Sequence, residues 1–401
     1  MRILITADAV GGVWQYTLDL VAALRPMGVE AIVALLGPSL TAAQRRDGAG
    51  VTLIETGLPL DWLSDGPDKV LAAGDAIAAL AARERVDLVQ LNMPSLGARA
   101  RFGVPVVAVA HGCVGTWWEA ARGTRPDPAY AWQDALVRAG LLAADAVVAP
   151  SQSYAETVAR YYTLPAVPLA VHNGRAPFIA RPHDADPPPS VRAERSRSTS
   201  PSHLPFDFAQ GEREISQSQP TDADAEPVAH AFTAGRLWDE VKATALLDRT
   251  AARLSVPFRA AGSAEGPHGE RLQLDHLHRL GQLDAPAMAR ELAGRPVFVS
   301  AARFEPFGLA VLEAAQAGCP LVLSGIDTFR ELWTGAALIV EEQDDAAYAA
   351  AIERILGDAA LRAHLGEAAR IRAQRYTPTA MASAMASIYA GLIGAPRQAA
   401  A

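Results

Sequence analysis

The chain has 401 residues, half of them hydrophobic and a fifth charged, enough for two or three domains with sizeable buried cores. Its 36 Lys and Arg against 44 Asp and Glu leave a net charge of −8. That argues against a nucleic-acid partner, because phosphate contacts need clustered cations. Cys113 and Cys319 are the only cysteines, which excludes a disulfide scaffold or a cysteine zinc cluster and fits a reducing cytosol.

The first predicted strand, at 3–6, starts almost at the first residue, with no apolar leader and cleavage site ahead of it. Further strands are predicted at 31–36, 52–55, 88–91, 104–110, 146–149 and 169–171. Helices are predicted between most of them, at 16–24, 70–83, 130–143 and 154–161. The strands are nearly continuous in apolar residues rather than alternating, the mark of parallel strands covered on both faces. No apolar run approaches the ~20 residues of a membrane span. A cytoplasmic protein without an integral membrane segment is expected. Peripheral contact at the inner membrane face stays open, although no basic amphipathic helix argues for it.

The rhythm stops at 181–227, where eight Pro and seven Ser accompany only five of Val, Leu, Ile or Phe. Such a segment buries too little apolar area to offset its ordering entropy, and a disordered insertion is expected. Strands resume at 230–233, 258–261, 279–281, 297–300, 321–323 and 337–340. Helices follow at 242–254, 287–292, 308–317, 346–356 and 359–375, with a last one from 379 to about 393. The fold class is therefore α/β, with two Rossmann-like doubly wound parallel-sheet domains facing a cleft. The expected boundaries are 1–178, a linker at 179–229, 230–376, and a helical tail at 377–401 that packs back toward the first domain.

Four constellations could carry chemistry. Glu305 and Glu313 are separated by seven residues, the first at the carboxyl end of a strand and the second about two turns into a helix. Glu313 sits among Val311, Leu312, Ala314 and Ala315, where a carboxylate needs a hydrogen-bond partner. Sugar or ribose hydroxyls would serve; so would an Arg, with Glu305 merely facing its own helix dipole. The amides near Phe307, Gly308 and Leu309 open that helix and suit an anion. Arg236 and Lys242 follow the first strand of the second half, where a diphosphate could lie between them; a solvated Lys242 is the plain alternative. Gly11 and Gly12 join the first strand to the first helix and permit close backbone approach, or simply a tight turn. They lack the spacing of either dinucleotide or phosphate-loop motifs.

His111 ends an apolar strand and points toward the cleft, as a structural or a catalytic residue. Trp117, Trp118 and Glu119 follow in an expected loop, where the rings stack on a sugar or pack beneath it. Asp184 with Asp186, and Asp222 with Asp224, match a D-x-D metal pattern but fall in the insertion. The His residues lack zinc-ligand spacing, and Ser151 and Ser153 lack a nucleophile elbow.

In order along the chain, GGVWQYTLDLVAAL, the HG at His111, APSQSYAE, the HNG at His172, AGRLWDEVK and SAARFEPFGLAVLEAAQAGCPLV resemble the family-4 (group 1) retaining glycosyltransferases of the GT-B fold. The resemblance covers essentially the whole chain except 181–227. It implies an N-terminal acceptor-side domain and a C-terminal nucleotide-sugar-binding domain. Glu305 then resembles the residue on donor-sugar hydroxyls and Glu313 the residue on the ribose. Phe307, Gly308 and Leu309 resemble the segment whose amides meet sugar and phosphate. Arg236 and Lys242 resemble the pair that neutralises the leaving diphosphate. Gly12 resembles the glycine beside the diphosphate, and His111 the histidine near the reaction centre.

No metal and no cofactor are implied beyond the nucleotide-diphospho-sugar donor. The implied acceptor is a sugar, a lipid-linked or a small molecule. Several details depart from the family: a six-residue Arg-to-Lys interval, Ala243 after Lys242 in place of Gly or Asn, Arg303 in the catalytic loop, Arg175 after Asn173-Gly174 in place of an aliphatic residue, and the insertion at 181–227. Two alternatives are a phosphorylase or sugar-nucleotide epimerase on the same scaffold, and a non-catalytic sugar-nucleotide-binding protein.

Overall fold

A computed structural model of the chain describes residues 1–177, 229–267 and 269–394. The expected insertion at 181–227 lies outside the described residues, and so do its two Asp-Ala-Asp pairs. Apolar runs build β1 (Arg2–Asp8), β2 (Glu30–Leu36), β3 (Thr52–Glu55), β4 (Leu88–Leu91), β5 (Val106–Val109), β6 (Ala146–Ala149) and β7 (Leu169–Ala170). They form one parallel sheet in the order β3-β2-β1-β4-β5-β6-β7. Consecutive residues Ile3, Leu4 and Ile5 are all buried, so both sheet faces are covered, as their unbroken apolar pattern requires. The covering helices are α1 (Gly12–Leu24), α2 (Ala42–Asp47), α3 (Pro67–Arg83), α4 (Val114–Arg122), α5 (Ala131–Ala143) and α6 (Gln152–Tyr162).

The second lobe repeats the plan with β8 (Ala231–Ala234), β9 (Phe258–Ala261), β10 (His278–Gly281), β11 (Val297–Ser300), β12 (Leu321–Ser324) and β13 (Leu338–Val340). Their parallel order is β10-β9-β8-β11-β12-β13. Its helices are α7 (Thr244–Ala251), α8 (Ala285–Ala293), α9 (Leu309–Gln316), α10 (Asp327–Trp333), α11 (Asp345–Gly357) and α12 (Ala359–Ala373). A final helix, α13 (Pro378–Gly394), belongs to the first lobe. Met381, Ala382, Met385 and Tyr389 are buried in one cluster with Ile3, Tyr16 and Leu20.

Among the described residues the chain passes between the lobes in two places. The outgoing one passes through His172, Gly174 and Arg175, and the return one through Tyr376 and Thr377. The Arg175 amide donates to the Tyr376 carbonyl at 3.2 Å. A Cβ on Gly174 would lie 2.1 Å from the Thr377 carbonyl oxygen, so only glycine lets the two strands of chain run this close.

Three local expectations are corrected. Trp117, Trp118 and Glu119 lie in α4 rather than in a loop, with Trp118 and Ala121 burying one face of that turn where α4 packs beside α5 and α6. The helix expected from 242 is interrupted: Lys242 ends a 3-10 turn, and Ala243 adopts a left-handed φ of 52° before α7. The helix expected from Gly308 starts at Leu309, with Gly308 at φ 94°. Glu313 thus stands one turn into α9, not two.

A candidate active site between two sheet switch points

Open parallel sheets bind ligands at the carboxyl ends of their strands, where the strand order reverses. In the first sheet this point lies between β1 and β4, and in the second between β8 and β11. The loops that leave these strands meet each other. A Cβ on Gly12 would stand 3.4 Å from Leu309 Cδ1, and one on Gly11 would stand 4.0 Å from Arg236 Nη1. Across from them, a Cβ on Gly112 would lie 3.8 Å from both Phe304 and Pro306. Residues remote in sequence, Gly12, Arg236 and Leu309, thus share one cleft.

On the second-lobe side a hollow is lined by Thr233, Gly235, Arg236, Lys242, Glu305 and Gly308. Lys242 Nζ donates to Glu305 Oε2 at 2.5 Å, with 21% and 19% of the two side chains exposed. The ammonium has further N–H groups for a second acceptor. Arg236 Nη2 donates to Asp239 Oδ2 at 2.8 Å. Asp239 is buried, and its Oδ1 accepts from Trp117 Nε1 of the other lobe at 3.0 Å. Arg236 keeps 48% of its side chain exposed and has donors to spare.

The start of α9 is fixed from two directions. Phe307 is buried and packs edge-on against Tyr376, with ring centroids 5.6 Å apart. Next to it, the left-handed turn at Gly308 has no room for a side chain without moving Phe329, 3.2 Å from a built Cβ.

Glu313 takes the Arg partner weighed as the plain reading of the sequence. Arg175 Nε donates to its Oε1 at 2.7 Å, and Arg175 Nη1 donates to Asp19 Oδ2 at 3.1 Å. Burial pushes the Glu313 carboxyl above its ordinary value, and the Arg175 charge opposes that.

On the first-lobe side His111 Nε2 lies 3.1 Å from Asn92 Oδ1. Asn92 Nδ2 is itself a donor, to the Thr6 carbonyl at 2.8 Å, so its oxygen faces the imidazole. The ring also packs edge-on to Tyr16, with centroids 4.4 Å apart. Burial holds the His111 pKa at about 3. The imidazole is therefore neutral, donates through Nε2, and keeps Nδ1 as an acceptor.

Asp61 and Glu331 carried no signal in the sequence, and Asp8 showed only as the start of the segment that holds Gly11 and Gly12. Asp8, at the end of β1, has its pKa raised by burial, while the amides of Val10 and Gly11 and the Arg236 charge pull it down. Asp61 Oδ2 accepts from Ser95 Oγ at 2.6 Å, and burial raises its pKa too. Glu331 of α10 accepts from the Gln152 and Ser153 amides of the other lobe at 2.9 and 2.7 Å. Beside it Ser151 Oγ donates to the Pro306 carbonyl at 2.8 Å. Among the described residues no three His, Cys, Asp or Glu side chains converge on a metal-holding group, and no helix is long and apolar enough to cross a membrane.

Two facing doubly wound lobes with a cleft at their switch points are the GT-B architecture. Residues 10–198 match the model of Glycosyltransferase Family 4, and residues 267–372 match that of Glycosyl transferases group 1. The chain belongs to these glycosyltransferases. Phosphatidyl-myo-inositol mannosyltransferase of Mycobacterium leprae (strain TN) is 29% identical over 119 residues. That match spans 29% of this chain and 32% of the relative's length.

Among solved structures, sucrose-phosphate synthase of Thermosynechococcus elongatus superposes with a TM-score of 0.70 at 19% identity, over 99% of this chain and 100% of its own. HepE of Anabaena in complex with UDP-glucose gives 0.69 at 16% identity, over 98% and 100%.

Proposed function

We propose that the protein transfers a sugar from a nucleotide-diphospho-sugar to an acceptor hydroxyl, with retention of anomeric configuration and without a divalent metal. The observation that carries this reading is the convergence of Arg236, Lys242 and the start of α9 on one hollow, opposite Gly11 and Gly12. A diphosphate seated there meets two cations and the amides ahead of α9. When the anomeric carbon–oxygen bond breaks, negative charge grows on the departing diphosphate. Donors fixed in advance stabilise that charge more than the ground state. The acceptor oxygen bonds the anomeric carbon on the same face, and its proton passes to an oxygen of the leaving phosphate.

Glu305, steadied by Lys242, accepts from donor-sugar hydroxyls, and Glu313 accepts from the ribose. His111 is neutral, so it orients the sugar by hydrogen bonding rather than supplying a proton. Gly12 leaves the diphosphate room at the cleft floor. Closure of the lobes keeps water from the activated sugar.

HepE was solved with UDP-glucose, so UDP-sugars head the donor panel, followed by GDP- and ADP-sugars. The name of the Mycobacterium leprae relative adds inositol phospholipids to the free sugars and small molecules of the acceptor panel. Arg236→Ala and Glu305→Ala should each abolish transfer while circular dichroism shows an intact fold, and full activity in both would overturn the site. EDTA should leave the rate unchanged; loss restored by a divalent cation would overturn metal independence. Anomeric proton couplings of the product report retention. Release of sugar phosphate that depends on added inorganic phosphate would favour a phosphorylase instead.

A further inference from the structure

Arg175 has no part in the scheme above, yet it is tied on every side. Only 11% of its side chain is exposed, and its fork spans Glu313 of α9 and Asp19 of α1. The Asp19 oxygen that it meets also accepts from Gln15 Nε2 at 3.2 Å. Its amide is bonded to the return crossing, and its carbonyl accepts from Gln316 Nε2 at 2.7 Å. One residue thus connects the first lobe, the second lobe and both crossings.

We propose that Arg175 is a positioning residue for the donor nucleotide, holding the Glu313 carboxylate ionised and in one orientation for the ribose hydroxyls while Asp19 holds Arg175 in turn. The proposal rests on the reading of Glu313 as the ribose residue. The elements packed against α9 bring apolar side chains to this region: Phe298 from β11, Leu321 and Leu323 from β12, Ala369 and Ala373 from α12. Among the described residues the charged groups that act on Glu313 are Arg175 and Asp19. A carboxyl so enclosed takes a proton unless a cation offsets its burial. A protonated Glu313 would have one oxygen fewer to accept from a vicinal diol. Among the described residues the hydrogen bond on Glu313 goes to Oε1, which leaves Oε2 for the ligand. Lysine cannot reproduce the arrangement, because a single ammonium does not span two carboxylates as a planar fork does.

The test is isothermal titration of the full-length protein with UDP, GDP and ADP between pH 5.5 and 8.5. Wild type is compared with Arg175→Met, Arg175→Lys, Glu313→Gln and the Arg175→Met/Glu313→Gln double variant. Arg175→Met should weaken the best-bound nucleotide about tenfold at pH 7, the worth of one charge-assisted hydrogen bond. The loss should grow as pH falls, because the enclosed Glu313 without its cation is more readily protonated, and Arg175→Lys should recover part of it. In turnover, donor KM should rise while kcat at saturating donor holds. On the Glu313→Gln background, Arg175→Met should add little and the pH dependence should vanish. Without ligand, the melting point of Arg175→Met should fall further below wild type at pH 8 than at pH 5, because two enclosed carboxylates lose their counter-ion.

If Glu313→Gln weakens binding but Arg175→Met leaves both affinity and pH profile as in wild type, the positioning role is wrong and Glu313 stands. If neither variant changes binding, the ribose reading of Glu313 fails and takes the proposal with it. If no nucleotide binds wild type, the donor reading fails, and equal melting losses at both pH values would show that Arg175 does not hold Glu313 ionised.

Discussion

Removing the charge of Glu331 should loosen the grip of one lobe on the other in a pH-dependent way. Its carboxylate accepts from the Gln152 and Ser153 amides and lies 3.1 Å from His172 Nε2. The first amides of α6 have no partner within their own helix, so a residue 178 positions away in sequence caps them from the second lobe. Burial alone would raise the Glu331 pKa. The His172 contact and the two amides outweigh it and hold the carboxyl at about 2, against an ordinary 4.5.

That displacement corresponds to ~3 kcal/mol by linkage. With 23% of the side chain exposed, solvent screening trims the figure to about 1–2 kcal/mol. Because the folded value is depressed, the contribution is complete above the unfolded value near 4.5 and disappears as pH falls toward about 2. Urea titration of wild type and Glu331→Gln should therefore differ by about 1–2 kcal/mol at pH 7 and converge near pH 2.5. An identical difference at both pH values would show that the carboxylate charge does no capping.

Two further outcomes follow from packing. Met385→Ala removes a fully buried side chain of α13 from the first-lobe core and should cost about 2–5 kcal/mol in urea unfolding; an unchanged midpoint would place α13 outside that core. Cys113 and Cys319 are 5% and 0% exposed, and burial pushes both thiols up to about 12. Neither should react with a thiol reagent at pH 8 until the protein is unfolded; rapid labelling of native protein would contradict their burial.

The sheets were legible because their strands are covered on both faces, and an unbroken apolar run such as 31–36 or 146–149 has few other homes. Element ends were less so. Val104 and Pro105 extend the apolar run that becomes β5, yet pairing begins only at Val106. The left-handed backbone at Ala243 and Gly308 is not announced by any periodicity.

At the site, the Glu305–Glu313 spacing and the Arg236–Lys242 pair led to the cleft. The interlobe contacts around them were hidden, because Asp239 meets Trp117 from 122 residues away and Glu331 meets Gln152 from 179. Arg175 showed in the sequence only as an odd residue after Asn173-Gly174. Its role depends on Asp19 and Glu313 arriving from opposite sides.

The return of α13 to the first lobe changes what counts as a half of this molecule. A gene split in the stretch between 177 and 229 would give a leading fragment lacking the helix that seals Tyr16 and Leu20. The trailing fragment would carry Met381, Met385 and Tyr389 with nothing to bury them. Neither product is a self-sufficient unit, but each holds the piece that the other lacks. Such a split favours reassembly on co-expression over independent folding, and biochemical work on a single lobe must graft the tail onto the front of the chain.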